Sequence, residues 1–351
     1  MATFKQIREF DGSRNAFGQQ ARVEDTRAAA EDFRKIMLSG PKARYFRSFD
    51  LIKVPYPSRY GLRNAFSRER FVEFLHIQNR LFVVQFDTTE GVKTLLVSPS
   101  DHERNGETPF FRRLQDSTPR FLTDRMVERQ NTVQGIVAGL GLKPEDIDYI
   151  TYDHLHTQDV RRWLGTDQTP AIFPNAKLLV HQREWASTLD LTPYQADWYC
   201  PNGVAGIPAD KVITFDGSIM LGDGVALIHT PGHTEGNHSI VVHTDEGIWV
   251  TSENGVSVDS YAPHLSTAAG VADYAKTLGT EVILNGNTLE NAIDQYISMV
   301  QEKTIAGPSR RDPRFPNIFP SSEMTSFWAF PGTRPAFYVG EAHHGELCLP
   351  A

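Results

Sequence analysis

Short strand-like segments, gathered into two runs that are each closed by helices, constrain this chain more than any other feature of its sequence. Residues 80–86 and 92–97 read as the two strands of a hairpin around the turn Asp87-Thr-Thr-Glu-Gly91. The first run continues with a helix over 123–140, strands over 147–152 and 176–181, and a helix around Glu184. The second run holds strands over 226–229, 239–243 and 248–251, then a helix over 271–278, a strand over 282–284 and a helix over 291–302. A sheet must bury its apolar face against another layer. Two strand-rich runs with flanking helices therefore imply an α/β fold in which two sheets pack face to face with helices outside. With 351 residues, 40% of them hydrophobic, the chain can form one large domain with extensions or two small ones.

The regular pattern begins near Phe71, so residues 1–70 read as a helix and an arm, 71–305 as the main domain, and 306–351 as a tail. In the first part, Val23, Ala28, Phe33, Ile36 and Met37 fall at helical spacing and the helix stops at Gly40-Pro41. Residues 45–67, aromatic and rich in Pro with Tyr56, Tyr60 and Phe66 among them, read as an irregular arm over the main domain. The tail carries Phe315, Phe319, Phe327, Trp328, Phe330 and Phe337, and is expected to pack on its own subunit or on the partner of a homodimer.

A net charge of −8, with both signs mixed along the chain, argues against nucleic acid or an anionic membrane as the main partner. No apolar stretch reaches the length of a membrane span, and the first residues lack the pattern of a signal peptide. Cys200 and Cys348 are the only cysteines, too few for a disulfide framework or a Cys-rich zinc module. A reducing cytoplasm is the expected home, and any metal falls to His, carboxylate and amide groups.

Such groups are concentrated in two places. Ile147 and Ile150 mark a strand that runs out into a loop with His154, His156 and Asp159. Far along the chain, Thr230-Pro-Gly-His-Thr-Glu-Gly236 places His233 in a second strand-to-loop turn, where Gly232 permits close backbone approach. One loop histidine is ordinarily a solvated or hydrogen-bonded residue. Three, each just past a strand end, are the donor set of a catalytic zinc site with an open fourth position. Elsewhere, His181 and Glu184 read as a surface pair and His243 as solvated, with His264 in a loop. Trp163, Trp198, Tyr199 and Trp328 are candidates for an aromatic pocket or for the core, and Cys200 lacks an activating partner.

In order and spacing, these segments resemble the metallo-β-lactamase superfamily over about residues 80–302. The resemblance implies the αββα sandwich, and assigns His154, His156 and His233 to the first metal site of a His-x-His-x-Asp-His family. Three departures touch the second site. Gln158-Asp159 stands where the family has Asp-His. Glu253 or Asn254, in Thr251-Ser-Glu-Asn254, stands where it has a bridging aspartate. Asn287 stands where it has a last histidine. This implies one zinc ion per chain, with Asp153, Asp159, Glu253 or Asn254 completing the shell. The pattern Tyr-Asp-His-Leu-His-Thr-Gln-Asp with Ser-Glu-Asn-Gly is similar to that of the chlorothalonil hydrolytic dehalogenases, in which Asp153-His154 and Asn254 would be metal ligands. The implied activity is attack of a metal-bound hydroxide on an electron-poor chlorinated aromatic, with Asp159 or Asp153 handling the proton. The same nucleophile also suits a lactone, ester or thioester. An iron-dependent redox enzyme or a non-catalytic metal scaffold are readings of another class.

Overall fold

The computed structural model describes residues 4–65, 74–119, 121, 125–288, 291–331 and 334–350; Phe66, Phe71 and Thr123, named above, lie outside them. Fourteen strands are seen among these residues, numbered in chain order. They are β1 (Lys5–Ile7), β2 (Tyr45–Pro57), β3 (Phe74–Thr88), β4 (Gly91–Val97), β5 (Glu128–Arg129), β6 (Tyr149–Thr151) and β7 (Lys177–His181), followed by β8 (Val212–Phe215), β9 (Ser218–Gly222), β10 (Val225–His229), β11 (His238–Thr244), β12 (Gly247–Thr251), β13 (Ser322–Thr325) and β14 (His343–Gly345). They form two sheets. The smaller runs β1-β9-β10-β11-β12; the larger runs β14-β2-β3-β4-β6-β7-β8, with β13 on β3 and β5 on β2.

The strands alternate in a way that explains the layering. Val225 and Leu227 of β10, Ile240 and Val242 of β11 and Trp249 of β12 point one way. They meet Phe82, Val84 and Phe86 of β3, Leu95 and Val97 of β4 and Leu179 of β7 in the core between the sheets. The intervening residues Ala226, Ile228, Val241, Ile248 and Val250 face outward onto Ala30, Phe33 and Met37 of the helix Gln19–Ser39 and onto Met299 and Ile305 of the helix Ala292–Ala306. On the outer face of the larger sheet, Leu81, Val83, Leu96, Leu178 and Val180 pack with Ile136 and Val137 of the helix Val133–Gly139. Period-2 strands with both faces apolar are what a four-layer stack requires. Among the described residues no helix is long and apolar enough to cross a membrane.

Four expectations change. The helix expected over 123–140 is interrupted, with Glu128–Arg129 forming β5 and the helix Val133–Gly139 following only after it. The segment expected to be an irregular arm is in large part β2, paired with β3 from Tyr45↔Gln85 to Pro57↔Phe74 with a register shift between Asp50 and Ile52. Its prolines are tolerated because Pro55 and Pro57 lie beyond the stretches where β14 and β5 use the other side of the strand. The tail also joins the larger sheet, through β13 and β14, and its Glu323 forms a fully buried ion pair at 2.7 Å with Arg80 of β3. Finally, residues 282–284 form no strand: Val282 and Ile283 are buried, but the Ile283 N–H donates to the Ser260 carbonyl instead of a ladder.

Candidate metal centre

Three loops leave three strands and meet. β6 ends at Thr151, and residues 152–159 follow; β10 ends at His229 and returns through residues 230–237 into β11; β12 ends at Thr251 and leads to Ser252, Glu253 and Asn254. The turn before His233 depends on Gly232, which has φ of 136° and lies so close to the helix Ala292–Ala306 that a Cβ would fall 2.1 Å from the Gln295 nitrogen. The loops are also tied to each other, because the His238 N–H donates to the Asp153 carbonyl at 2.9 Å.

The structure brings His154, His156 and His233 together as the sequence implied. A ring nitrogen of each lies within 4.8 Å of the others, and all three side chains are buried. The rings stand nearly perpendicular to one another, with centroids 4.5–5.0 Å apart. His156 Nδ1 and His233 Nε2 are buried without a hydrogen-bond partner. Burial, reinforced by the neighbouring His154, holds both imidazoles well below their ordinary pKa. They are therefore neutral, with lone pairs available, and orphaned buried nitrogens of this kind fit a cation. On the far sides, His233 Nδ1 pairs with Thr288 Oγ1 at 3.2 Å and His154 Nδ1 with Asp153 Oδ1 at 3.1 Å. Burial lowers the His154 pKa, but Asp153, by charge and hydrogen bond, carries it up to about 9. A carboxylate behind an imidazole is the usual way to orient a metal-binding histidine.

Asp153 also belongs to a second group. Asp153, His154 and Glu253 each bring a candidate donor within 4.8 Å of the others, so the two groups share His154. The other Asp153 oxygen accepts from the Ser321 hydroxyl at 2.8 Å. Burial pushes Glu253 up to about 7, with His154 opposing and Asp153 adding to the rise. Asn254 is fully buried, and its amide nitrogen is committed to the Thr230 carbonyl and to Glu302 Oε1 at 2.6 Å. Its Oδ1 is left without a partner, as is Asn287 Oδ1.

The assignment of Asp159 is corrected. Its carboxylate is buried but faces Arg161, which binds it at 3.0 Å through Nε, with Arg104 at 3.7 Å, and it stands in neither histidine group. The reason is local: Arg161 lies two residues on, and its backbone N–H also donates to Asp159. His243 is buried rather than solvated, its Nδ1 near the Pro41 carbonyl. His181 and Glu184 are no surface pair either, since both side chains are fully buried. His181 stacks on His229 with centroids 3.9 Å apart. Glu184 accepts from the Leu155 N–H, the Tyr199 hydroxyl and the Thr234 hydroxyl. Sequence pattern gave no sign of Glu302 and placed Glu184 on the surface, because an acid on a helix reads as solvent-facing until its neighbours are known. Trp163 is core beside Phe173, Trp328 is exposed, and burial pushes the Cys200 thiol up to about 12.

His154 and His156 lie at a cavity of about 500 Å³. Gln158, Glu253 and Asn287 share its polar side with His154 and His156, while Tyr56, Phe111 and Trp198 are among its apolar walls. A second, mainly apolar cavity of about 300 Å³ adjoins it through Val54, Phe111 and Val127 and reaches Phe327 and Phe330 of the tail.

No family model matches the chain. N-acyl homoserine lactonases from a Bacillus species and from Bacillus cereus are 30% and 28% identical to it over 122 residues, 35% of this chain. The aligned segment spans 43% of the length of these curated relatives. Among solved structures, a dizinc quorum-quenching lactonase superposes with a TM-score of 0.52 over 88% of this chain and 97% of its own, at 14% identity. A probable metal-dependent hydrolase from Staphylococcus aureus gives 0.50 over 73% and 82%, also at 14%. At that identity the likeness is one of fold.

Proposed function

We propose that this chain, which has the metallo-β-lactamase fold, is a zinc-dependent hydrolase whose preferred substrate is a lactone or ester with a sizeable apolar substituent. The observation that carries this reading is the set of three buried imidazoles, two with unpartnered nitrogens, of which His154 and His156 line a cavity with aromatic walls. His154, His156 and His233 would hold the ion. A zinc ion in such a donor set supplies Lewis acidity toward a carbonyl oxygen and lowers the pKa of water toward neutrality.

The remaining roles fall to the chain. Asp153 fixes the ring of His154 from behind and keeps the other nitrogen turned to the cluster. Glu253 lines the cavity with a carboxyl group pushed up to about 7, the range in which it can accept a proton at its Oε atoms and return it. Tyr56, Phe111 and Trp198 exclude water from the apolar part of a substrate. Resemblance to the lactonases over 122 residues supports the carbonyl reading. We assign one ion per chain, since the two candidate groups share His154 and the family's second-site positions carry Gln158 and Asn287.

A second reading, hydrolytic dehalogenation of an electron-poor chlorinated aromatic, is favoured by the Asp153–His154–Glu253 group, by the free Oδ1 of Asn254 and by cavity walls suited to a flat ring. One panel tests both. Zinc-loaded protein is given lactones, esters, thioesters and chlorinated aromatic nitriles, and acid production and chloride release are read in parallel. Acid from the carbonyl substrates is expected. Chloride release alone overturns the first reading in favour of the second, and neither signal from protein of full zinc content overturns both.

A further inference from the structure

Glu184 lines neither of the two cavities described above, yet among the described residues its carboxylate joins both histidine loops. Its carboxylate is fully buried at the start of the helix Gln182–Leu189. Oε1 accepts at 2.8 Å from the N–H of Leu155, the residue between His154 and His156, and at 3.3 Å from the Tyr199 hydroxyl. Oε2 accepts at 2.5 Å from the hydroxyl of Thr234, the residue after His233. Backbone packing repeats the connection, because Gly236 approaches Glu184 so closely that a Cβ would fall 2.1 Å from the Glu184 nitrogen. A buried carboxylate is costly unless its lone pairs are filled by donors, and the donors seen here among the described residues belong to a histidine loop or to Tyr199, whose ring lies 4.8 Å from that of His156.

We propose that Glu184 is the positioning residue of the metal centre: it sets the distance between the His154–His156 pair and His233. This rests on the reading that the three histidines hold a metal, and it adds a residue that neither the family motif nor the cavity contains. The logic is geometric. Imidazole donors must sit within a few tenths of an ångström of their places around a small cation. Two loops from different sheets have no covalent reason to keep that spacing. One rigid carboxylate that takes a backbone N–H of one loop and a side-chain hydroxyl of the other supplies it, and from a helix rather than from either loop. The tie needs the length and the acceptor of the side chain more than its charge. Glutamine keeps both: its carbonyl oxygen can face Leu155 and Tyr199 while its amide donates to a rotated Thr234 hydroxyl.

The test uses the full chain, stripped of metal and titrated with Co²⁺, with affinity read by chelator competition and site geometry by the visible ligand-field spectrum. Glu184→Gln is expected to bind Co²⁺ within about threefold of wild type and with its spectrum. Glu184→Ala is expected to lose about 10- to 100-fold in affinity, the scale of losing an outer-shell partner, with an altered spectrum. Should Glu184→Ala fail to fold, Thr234→Val cuts only the His233 side of the tie and is expected to lose about tenfold. Wild-type affinity and spectrum in Glu184→Ala or in folded Thr234→Val overturns the proposal. So does a Glu184→Gln variant as impaired as Glu184→Ala, which would make the charge the cause. Wild-type protein that binds no Co²⁺ removes the metal reading itself, a result separable from the others because it precedes any substitution.

Discussion

Replacing Gly232 by alanine adds one methyl group, and the structure gives its cost. Gly232 has φ of 136°, a backbone region that residues with a Cβ rarely adopt, at about 1–3 kcal/mol. The new Cβ would lie 2.1 Å from the Gln295 nitrogen and 2.3 Å from its Cα, where ordinary contact begins near 3.4 Å. Relief requires the loop and the helix Ala292–Ala306 to part by more than 1 Å, and both are backbone, so no side chain can swing away. Overpacking of that kind adds about 1–3 kcal/mol. Together, a loss of about 4 kcal/mol is expected, a large part of the stability of an ordinary domain. Because His233 is the next residue, a loop that yields moves a candidate ligand by several times the tolerance of a zinc site. Gly232→Ala should therefore unfold at lower denaturant and retain much less zinc, measured by equilibrium unfolding and by elemental analysis after dialysis. Wild-type midpoint together with wild-type zinc content would refute the reasoning, since it would mean that neither the strain nor the contact exists in solution.

His154→Ala and His233→Ala should each abolish zinc retention and turnover, whereas His243→Ala, whose ring faces the Pro41 carbonyl away from the cluster, should keep both; elemental analysis and the substrate panel check this. Asp153→Asn should weaken zinc binding by about tenfold or more by loosening His154, while Asp159→Asn should cost about 1–3 kcal/mol in stability through its lost pairing with Arg161 but leave zinc content intact. For pH, burial holds His229 down to about 4 and, with His229 adding, His181 down to about 2. The unfolded chain takes up these protons near 6.5 and the folded chain does not, so their contribution is full above about 6.5 and is lost as pH falls toward 4, at up to about 1.4 kcal/mol per pH unit for each. Unfolding midpoints of wild type and His229→Gln from pH 7 to 4 should converge as pH falls; parallel curves would exclude the effect. Purified protein should carry about one zinc per chain, and two tightly held equivalents would contradict the shared-ligand reading of His154.

The sequence carried the layered core because strands such as residues 92–97 and 248–251 have apolar residues on both faces, a pattern that only a multilayer stack can bury. It carried the three histidines because each follows directly on a strand end, where loops from neighbouring strands converge. β2 was hidden by its prolines, which ordinarily break a ladder and here fall where one side of the strand is unused. β13 was hidden because Ser-Glu-Met-Thr has no apolar alternation, and its placement rests on the Arg80–Glu323 pair, a long-range contact. The role given to Asp159 failed on a short-range one. Arg161 stands two residues away in plain view, but which of several nearby partners a carboxylate takes depends on where the loop turns. Glu302 does not stand out in the sequence and Glu184 reads there as a surface residue, since burial of an acid is decided by residues far along the chain.

The weaving of the tail into the larger sheet changes what it means to shorten this protein. A fragment trimmed back to residues 71–305, the stretch with the most regular pattern, would strip β3 of its partner β2 along nearly its whole length and leave an open edge prone to pairing with other copies. It would also delete Ser321, which donates to Asp153, and Ser322, which bonds Glu253. The hydroxyls that hold both carboxylates beside His154 thus come from the tail, outside residues 71–305. A stop codon just before Ser321 would remove both hydroxyls from the centre of the molecule, together with Glu323, the buried partner of Arg80.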